Sequence, residues 1–516
     1  MTYDEYLAET ERIKTITKDE IVAIANKYFD NNYLDIRSKM GFPEKDKVDK
    51  PNWKPIEAKN TDAKSEFAKM IEAEEVPAVT PQVIDFKEDV RINKINDCYT
   101  MISTRNPYND IFSLTITHNY GTLDDPDLNR AITYLEMQGT DNMSFEELCL
   151  ELQKLGAYIS ISTNQSTTNI NIGGFEKDLE RILELCEEKL FNPANDENKI
   201  KIIYENQKME EETLKEDAQE WAQAVRQYAL YGEQSSYLAE TPLKQWKKRS
   251  GEELINEVKT ALNYNGEVLF VGNIKNQVVI NALTKHNLVP KEAVKAEKKY
   301  KVEKKYDDNK VFFAHNKKFR QSNIFFYVPS ETLDRKDKAI CQVFNKYFGT
   351  DMYSIVFQEV REFRSLGYTA YAYLMYDYLN RKPGNLFAFL GTQSDKTNEG
   401  VDVLRGLITD MPERMEKFNA SKDALIMSRA SDYVEFRNIP STVSSWLEQG
   451  YKYDPRKEVT DVIKNTEYKD VYDFYKRNVA NRPVIIMMSG NKKQFDLKAL
   501  GKYGEVKELK YKEIIR

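Results

Sequence analysis

Histidine is scarce in this chain. Three residues, His118, His286 and His315, are spread over 516 positions, so no neighbouring imidazoles offer a metal ion a ready pair of ligands. Cysteine is nearly as rare: Cys98, Cys149, Cys186 and Cys341 lie far apart and form no C-x-x-C pair, which excludes a redox motif or zinc knuckle of that kind. Cys149 and Cys186 stand among leucines in helical patterns, which predicts small buried thiols. No run of about 18 apolar residues occurs, and the start Met1-Thr2-Tyr3-Asp4-Glu5 lacks the basic-then-apolar order of a secretory signal. The chain as it stands is therefore expected to be soluble and without a membrane partner. Cytoplasm and periplasm are both compatible, since a periplasmic parent would carry its signal ahead of this stretch. Charge of one sign is not in excess either: 76 basic and 83 acidic residues, interspersed, give a net charge of -7. That balance excludes the wide basic field that binding to nucleic acid requires.

What is present is a globular composition, 41% hydrophobic and 31% charged, over a length sufficient for roughly two to four domains. Internal similarity organises it, because two long stretches follow one script about 210 residues apart. In the first, Tyr99 to Ser103 and Ile111 to His118 alternate as two strands around Arg105-Asn106-Pro107. In the second, Val311 to Ala314 and Asn323 to Val328 do so around Asn316-Lys317-Lys318. A helical stretch follows in each, then Gly139-Thr140-Asp141 with Ser144, or Gly349-Thr350-Asp351 with Ser354.

Ser144 with Glu147, ahead of Leu148, Leu152 and Leu155, is a capping-box helix start with a helical apolar face. Ser354 ahead of Phe357, Val360 and Phe363 is expected to act alike. Each helix stops at a Leu-Gly pair, Leu155-Gly156 and Leu366-Gly367, where glycine is expected in the left-handed conformation. Strand pairs then follow, Tyr158 to Thr163 with Thr168 to Ile172, and Thr369 to Met375 with Leu386 to Leu390. Long amphipathic helices are expected over Glu176 to Phe191 and Glu399 to Phe418. Each copy closes with a helix and a strand: Gly251 to Leu262 with Gly266 to Asn273, and Tyr468 to Val479 with Arg482 to Asn491.

The closing unit occurs a third time at the N-terminus, as Thr17 to Phe29 leading into a strand over Asn32 to Gly41. A closing unit without its domain has nothing on which to bury its apolar face, so the pattern predicts the C-terminal part of something longer, or a subunit whose tail docks on another. The expected organisation is therefore 1–41 as a closing unit, 42–83 as a proline-bearing linker, 84–289 as a first domain, 290–310 as a Lys/Glu-rich linker and 311–516 as a second domain. The fold class is α/β (α+β), two homologous domains that each pack a mostly antiparallel sheet with helices.

This order of strands, Gly-Thr, helix, Leu-Gly, strand pair and closing unit resembles the insulinase/pitrilysin (inverzincin) family of zinc metallopeptidases. The likeness spans about residues 85 to 512 as that family's third and fourth domains, with residues 1 to 41 as the end of a preceding one. The resemblance implies four related domains in two halves that close like a clamshell around a chamber. It also implies zinc held by an H-x-x-E-H motif and a later glutamate in the first domain. Aligned through Gly139-Thr140, the motif's positions fall on Arg130, Thr133 and Tyr134, which cannot serve as ligands or base. Glu136 has no histidine nearby, and the carboxylate-rich helix expected over Glu205 to Glu220 reads as a solvated face.

The second repeat carries Arg361, then Leu366-Gly367, then Tyr368, which resembles the family's fourth-domain signature. By that likeness Arg361 and Tyr368 bind the substrate backbone beside the scissile bond. A guanidinium donates in a fixed fork and a phenol donates to developing negative charge, but neither is a nucleophile or base. Arg364 fits the spacing less well, and an ordinary ion pair of Arg361 with Glu362 or Glu359 is the plainer alternative. The implied activity is that of the C-terminal, substrate-binding half of a zinc-dependent endopeptidase acting on unfolded peptides. Alone it is expected to be inactive and to bind no metal, the zinc being held by an N-terminal half or a separate H-x-x-E-H subunit. Two other readings stay open: a non-catalytic scaffold of the same fold, and an unrelated α/β peptide-binding module. No Gly-rich phosphate loop or Ser/His/Asp arrangement suggests another enzyme class.

Overall fold

A computed structural model describes residues 3–29, 32–41, 64–74 and 81–516. The chain divides into two compact units, residues 1–77 and residues 78–516. The larger unit holds two six-stranded sheets. The first is built from β1 (Arg91–Lys94), β2 (Tyr99–Thr104), β3 (Ile111–His118), β4 (Tyr158–Thr163), β5 (Thr168–Phe175) and β6 (Gly266–Val271). The second has β7 (Lys310–His315), β8 (Gln321–Pro329), β9 (Thr369–Met375), β10 (Asn385–Gln393), β11 (Ile485–Gly490) and β12 (Glu505–Leu509). Their orders are β1-β2-β6-β3-β5-β4 and β12-β7-β11-β8-β10-β9.

The repeated script explains this likeness. In each sheet the closing strand slots between the two opening strands, parallel to the first and antiparallel to the second: β6 between β2 and β3, β11 between β7 and β8. The remaining hairpin pairs antiparallel and ends in an edge strand, β4 or β9. Alternation along the strands sends Leu114, Ile116, Ile170 and Ile172 to one core, and Ile324, Phe326, Leu386 and Ile486 to another, where helices cover them.

The opposite sheet faces are covered by exchange. Helix Ala218–Tyr231 lies in sequence between β5 and β6 of the first sheet, yet Trp221, Val225 and Leu230 pack on Phe325, Phe387 and Met487 of the second sheet. Conversely, helix Ile439–Glu448 of the second repeat sets Val443 against Ile102 of the first sheet, together with Ile84 and Val90, and its Ser444 hydroxyl donates to Glu267.

Several expectations are corrected. The helix over Glu399 to Phe418 is two, Thr397–Thr409 and Met415–Ser431. Pro412 lies between them and disfavours helix at Met411, while Tyr347 Oη donates to the Pro412 carbonyl at 2.9 Å. The carboxylate-rich stretch breaks likewise into Asn198–Leu214 and Ala218–Tyr231, because Asp217 caps the second helix by accepting from Gln219 and Glu220 N–H groups. Cys149 is exposed, unlike buried Cys186, because helix Phe145–Lys154 turns only Leu148 fully inward. Among the described residues no helix is long and apolar enough to cross a membrane.

In the smaller unit, helix Lys18–Tyr28 starts at the expected Thr17/Glu20 capping box, preceded by a further helix, Tyr3–Thr15. Residues 32–41 form no strand. A strand needs a neighbour for its N–H and C=O groups, and none pairs with this segment among the described residues. The stretch expected as a linker over 42–83 lies largely outside the described residues.

Candidate substrate-binding site

In the first repeat Ser144 and Glu147 form the expected capping box and Gly156 is left-handed, with φ of 58°. The second repeat departs from this. Ser354 Oγ is buried without a partner among the described residues, and residues Phe357–Glu362 wind as a π-helix, a wider turn often found at functional positions. The chain then reverses at Ser365, which takes the left-handed conformation (φ 49°) expected of Gly367. Ser365 N–H donates to the Arg361 carbonyl and Leu366 N–H to that of Val360, each at 3.0 Å. Gly367 is needed for a different reason: a Cβ there would sit 2.2 Å from the Gly391 carbonyl oxygen of β10. The buried Thr392 hydroxyl donates to the Leu366 carbonyl at 2.6 Å and fixes the turn against the sheet.

This turn brings Arg361 and Tyr368 together at the start of edge strand β9. The guanidinium carbon stands 4.3 Å from the Tyr368 ring centre and 4.7 Å from that of Phe357, a stacked cation–π arrangement. Arg361 Nε also lies 3.4 Å from Glu362, the plain ion pair that sequence reasoning weighed. That pair uses only one of five donors. Tyr368 is 79% exposed, and Phe363 beside it is 65% exposed, so the edge presents aromatic surface to solvent. Arg364 is committed elsewhere, donating to both the carbonyl (2.7 Å) and the carboxylate of Glu359.

The residues standing where a zinc motif would fall do not fit that metal. Arg130 is buried in ion pairs with Asp127 (3.2 Å) and Glu240 (2.7 Å). Thr133 donates to the Asn129 carbonyl at 2.9 Å. Tyr134 is fully buried and donates to Asn195 at 2.6 Å, and burial raises its phenol to about 12. Glu136 accepts from Ile161 N–H and pairs with Lys189. A cation, a main-chain-bonded hydroxyl and a protonated phenol supply no zinc donors. His118, His286 and His315 are likewise separate, the first inside the core and the second between Glu180 and Glu187. Among the described residues no group of three His, Cys, Asp or Glu side chains is placed to hold a metal ion.

Sequence reasoning missed the polar face of helix Ala218–Tyr231. Gln223, Arg226 and Gln227 each carry an enclosed polar atom with no hydrogen-bond partner among the described residues. Their spacing of three and four residues was the available signal.

Residues 263–424 match the family model of the peptidase M16 inactive domain. No curated protein matches the chain. Among solved structures, the peptidase M16 inactive domain from Pseudomonas fluorescens is similar at a TM-score of 0.63 and 14% identity, over 78% of this chain and 98% of that one. The periplasmic protease PqqL from Escherichia coli gives 0.63 and 12% identity, over 94% of this chain and 52% of its own. The ferredoxin protease FusC, solved in complex with Arabidopsis ferredoxin, gives 0.62 and 12%, over 92% and 51%. The chain thus spans about half the length of these two proteases, and at such identities the likeness is one of fold.

Proposed function

We propose that this chain, whose residues 263–424 match the peptidase M16 inactive-domain family, is the substrate-binding, C-terminal half of a zinc-dependent endopeptidase. A catalytic half bearing H-x-x-E-H holds the metal, as a covalent N-terminal part or a separate subunit. The two close as a clamshell on an unfolded peptide that lies extended along the edge of the second sheet. The observation that carries this reading is the stacked pair Arg361 and Tyr368 at the head of edge strand β9, with Arg364 tied to Glu359 and so set apart from it. An always-charged donor fork beside an exposed phenol suits the carbonyl beside the scissile bond, where negative charge develops during attack.

The N-terminal unit supplies the docking element in this reading. Helices Lys18–Tyr28, Gly251–Ala261 and Tyr468–Asn478 all have 11 residues and all begin with a capping box. The latter two bury Leu254 and Val258, or Val471 and Phe474, whereas Ile21, Val22 and Ile24 of the first are exposed. Their cover is the sheet of the catalytic half, with residues 32–41 as its closing strand.

Mixing the chain with a catalytic half tests the proposal. Neither part alone should cleave an unstructured peptide, and the mixture should do so until a chelator is added. Cleavage by this chain alone overturns it, and absence of cleavage in every mixture leaves the scaffold role instead.

A further inference from the structure

Arg226 lies on helix Ala218–Tyr231, half-buried over the aromatic face of the second sheet. Its guanidinium carbon is 5.0 Å from the Phe387 ring centre and 5.3 Å from that of Phe325. Rings give such a cation a face but no acceptor in the plane of its donors. Nε is enclosed and unpartnered, and Arg226 makes no hydrogen bond or ion pair among the described residues. The titratable groups that act on its charge are phenols, those of Tyr231, Tyr237, Tyr371 and Tyr373. Tyr231 and Tyr237 are already spent on Glu303 and Glu220, at 3.1 and 2.6 Å, and Glu303 is further neutralised by Lys382 at 2.7 Å.

Tyr371 and Tyr373 differ. They sit half-buried on edge strand β9, stacked at 6.0 Å, and neither hydroxyl has a hydrogen-bond partner among the described residues. Gln223 and Gln227, at helical spacing from Arg226, also hold enclosed oxygens without partners among the described residues. Buried polar groups are nearly always satisfied, so unmet donors and acceptors on one helix beside an aromatic floor mark a place where something else binds. Because the unpaired group is a permanent cation with in-plane donors, its complement is a planar anion.

We propose that Arg226, with the hydroxyls of Tyr371 and Tyr373, binds a carboxylate of an extended peptide lying along β9. The site takes either the peptide's C-terminus or an acidic side chain. It deepens the peptidase reading, on which the identity of the ligand as a peptide rests, and it lies on the same edge strand that Tyr368 opens.

Calorimetric titration of the full chain tests it with N-acetylated, unstructured ten-residue peptides of Ser, Val and Tyr. One has a free C-terminal carboxylate, one a C-terminal amide, and one the amide with a single internal Glu. The free acid should bind at least about tenfold more tightly than the amide, as loss of a hydrogen-bonded charge requires. The Glu-bearing amide separates the sources: tight binding assigns any carboxylate, weak binding the C-terminus. In Arg226→Gln acid and amide should bind alike, and in Tyr373→Phe, which keeps the ring packing, the preference should shrink severalfold. Equal binding of acid and amide by the wild-type chain, no binding of any peptide, or a preference that persists in Arg226→Gln overturns the proposal. Failure of the peptidase reading shows separately, as absent cleavage in the mixture with carboxylate preference intact.

Discussion

The guanidinium of Arg361 stacks on the ring of Tyr368, 4.3 Å from its centre, so two side chains seven positions apart form one unit at the sheet edge. In the proposed assembly with a catalytic half, Arg361→Ala and Tyr368→Phe should each lower kcat by about 10²- to 10³-fold, the usual loss when a donor to developing negative charge is removed. Arg364→Ala should leave kcat within a few fold, because its donors are spent on Glu359. Steady-state kinetics on one unstructured peptide decides the matter, and normal rates in both former variants make the pair structural.

The turn that forms this unit gives a prediction of opposite signs. Ser365 occupies the left-handed region, which costs a residue with a Cβ roughly 1 kcal/mol. Ser365→Gly should therefore stabilise the fold slightly in urea denaturation. Gly367→Ala should destabilise it by about 1–3 kcal/mol, as overpacking does, since the new Cβ meets the Gly391 carbonyl oxygen at 2.2 Å.

This turn also marks where sequence reading stops. Strand positions were legible because alternation is local: Ile111–His118, Tyr158–Thr163 and Thr369–Met375 stand where the pattern put them. The repeat made the shared topology legible, and the resemblance singled out Arg361 and Tyr368. Which residue turns left-handed, however, depends on the widened π turn and on how closely β10 approaches Gly367, neither of which is written in local spacing. The exchange of helices between sheets was hidden for the same reason. Trp221 and Val443 have ordinary amphipathic surroundings, and only the tertiary arrangement says whose sheet they cover.

His118 gives the fold a pH dependence. Its ring is buried, with Nδ1 2.6 Å from Tyr99 Oη. The Tyr99 hydroxyl donates to the Tyr264 carbonyl at 2.5 Å, while His118 Nε2 is enclosed without a partner among the described residues. Burial therefore depresses the imidazole to about 4, so it is neutral in the fold but charged in the unfolded chain below its ordinary value near 6.5. Between these values the unfolded state binds the extra proton, so stability falls as pH drops from about 6.5 to 4, by roughly 3 kcal/mol. Urea titrations across that window should show the slope, and His118→Gln should remove this part of it.

The exchanged helices predict that neither repeat folds alone. Helix Ala218–Tyr231 carries Trp221, Ala222 and Val225 onto the second sheet, so a fragment of residues 81–289 would expose them, while a fragment of residues 304–516 would uncover Phe325 and Phe387. Helix Ile439–Glu448 creates the reverse dependence through Val443, buried against Ile102. Trp221→Ala should cost about 3–5 kcal/mol and Val443→Ala on the order of 1–2 kcal/mol. Because each helix ties one sheet to the other, both should lower the midpoint of a single unfolding transition rather than split it in two. Circular dichroism of the separate fragments is the sharper check: cooperative unfolding by either one alone would show that the exchange is not required for folding.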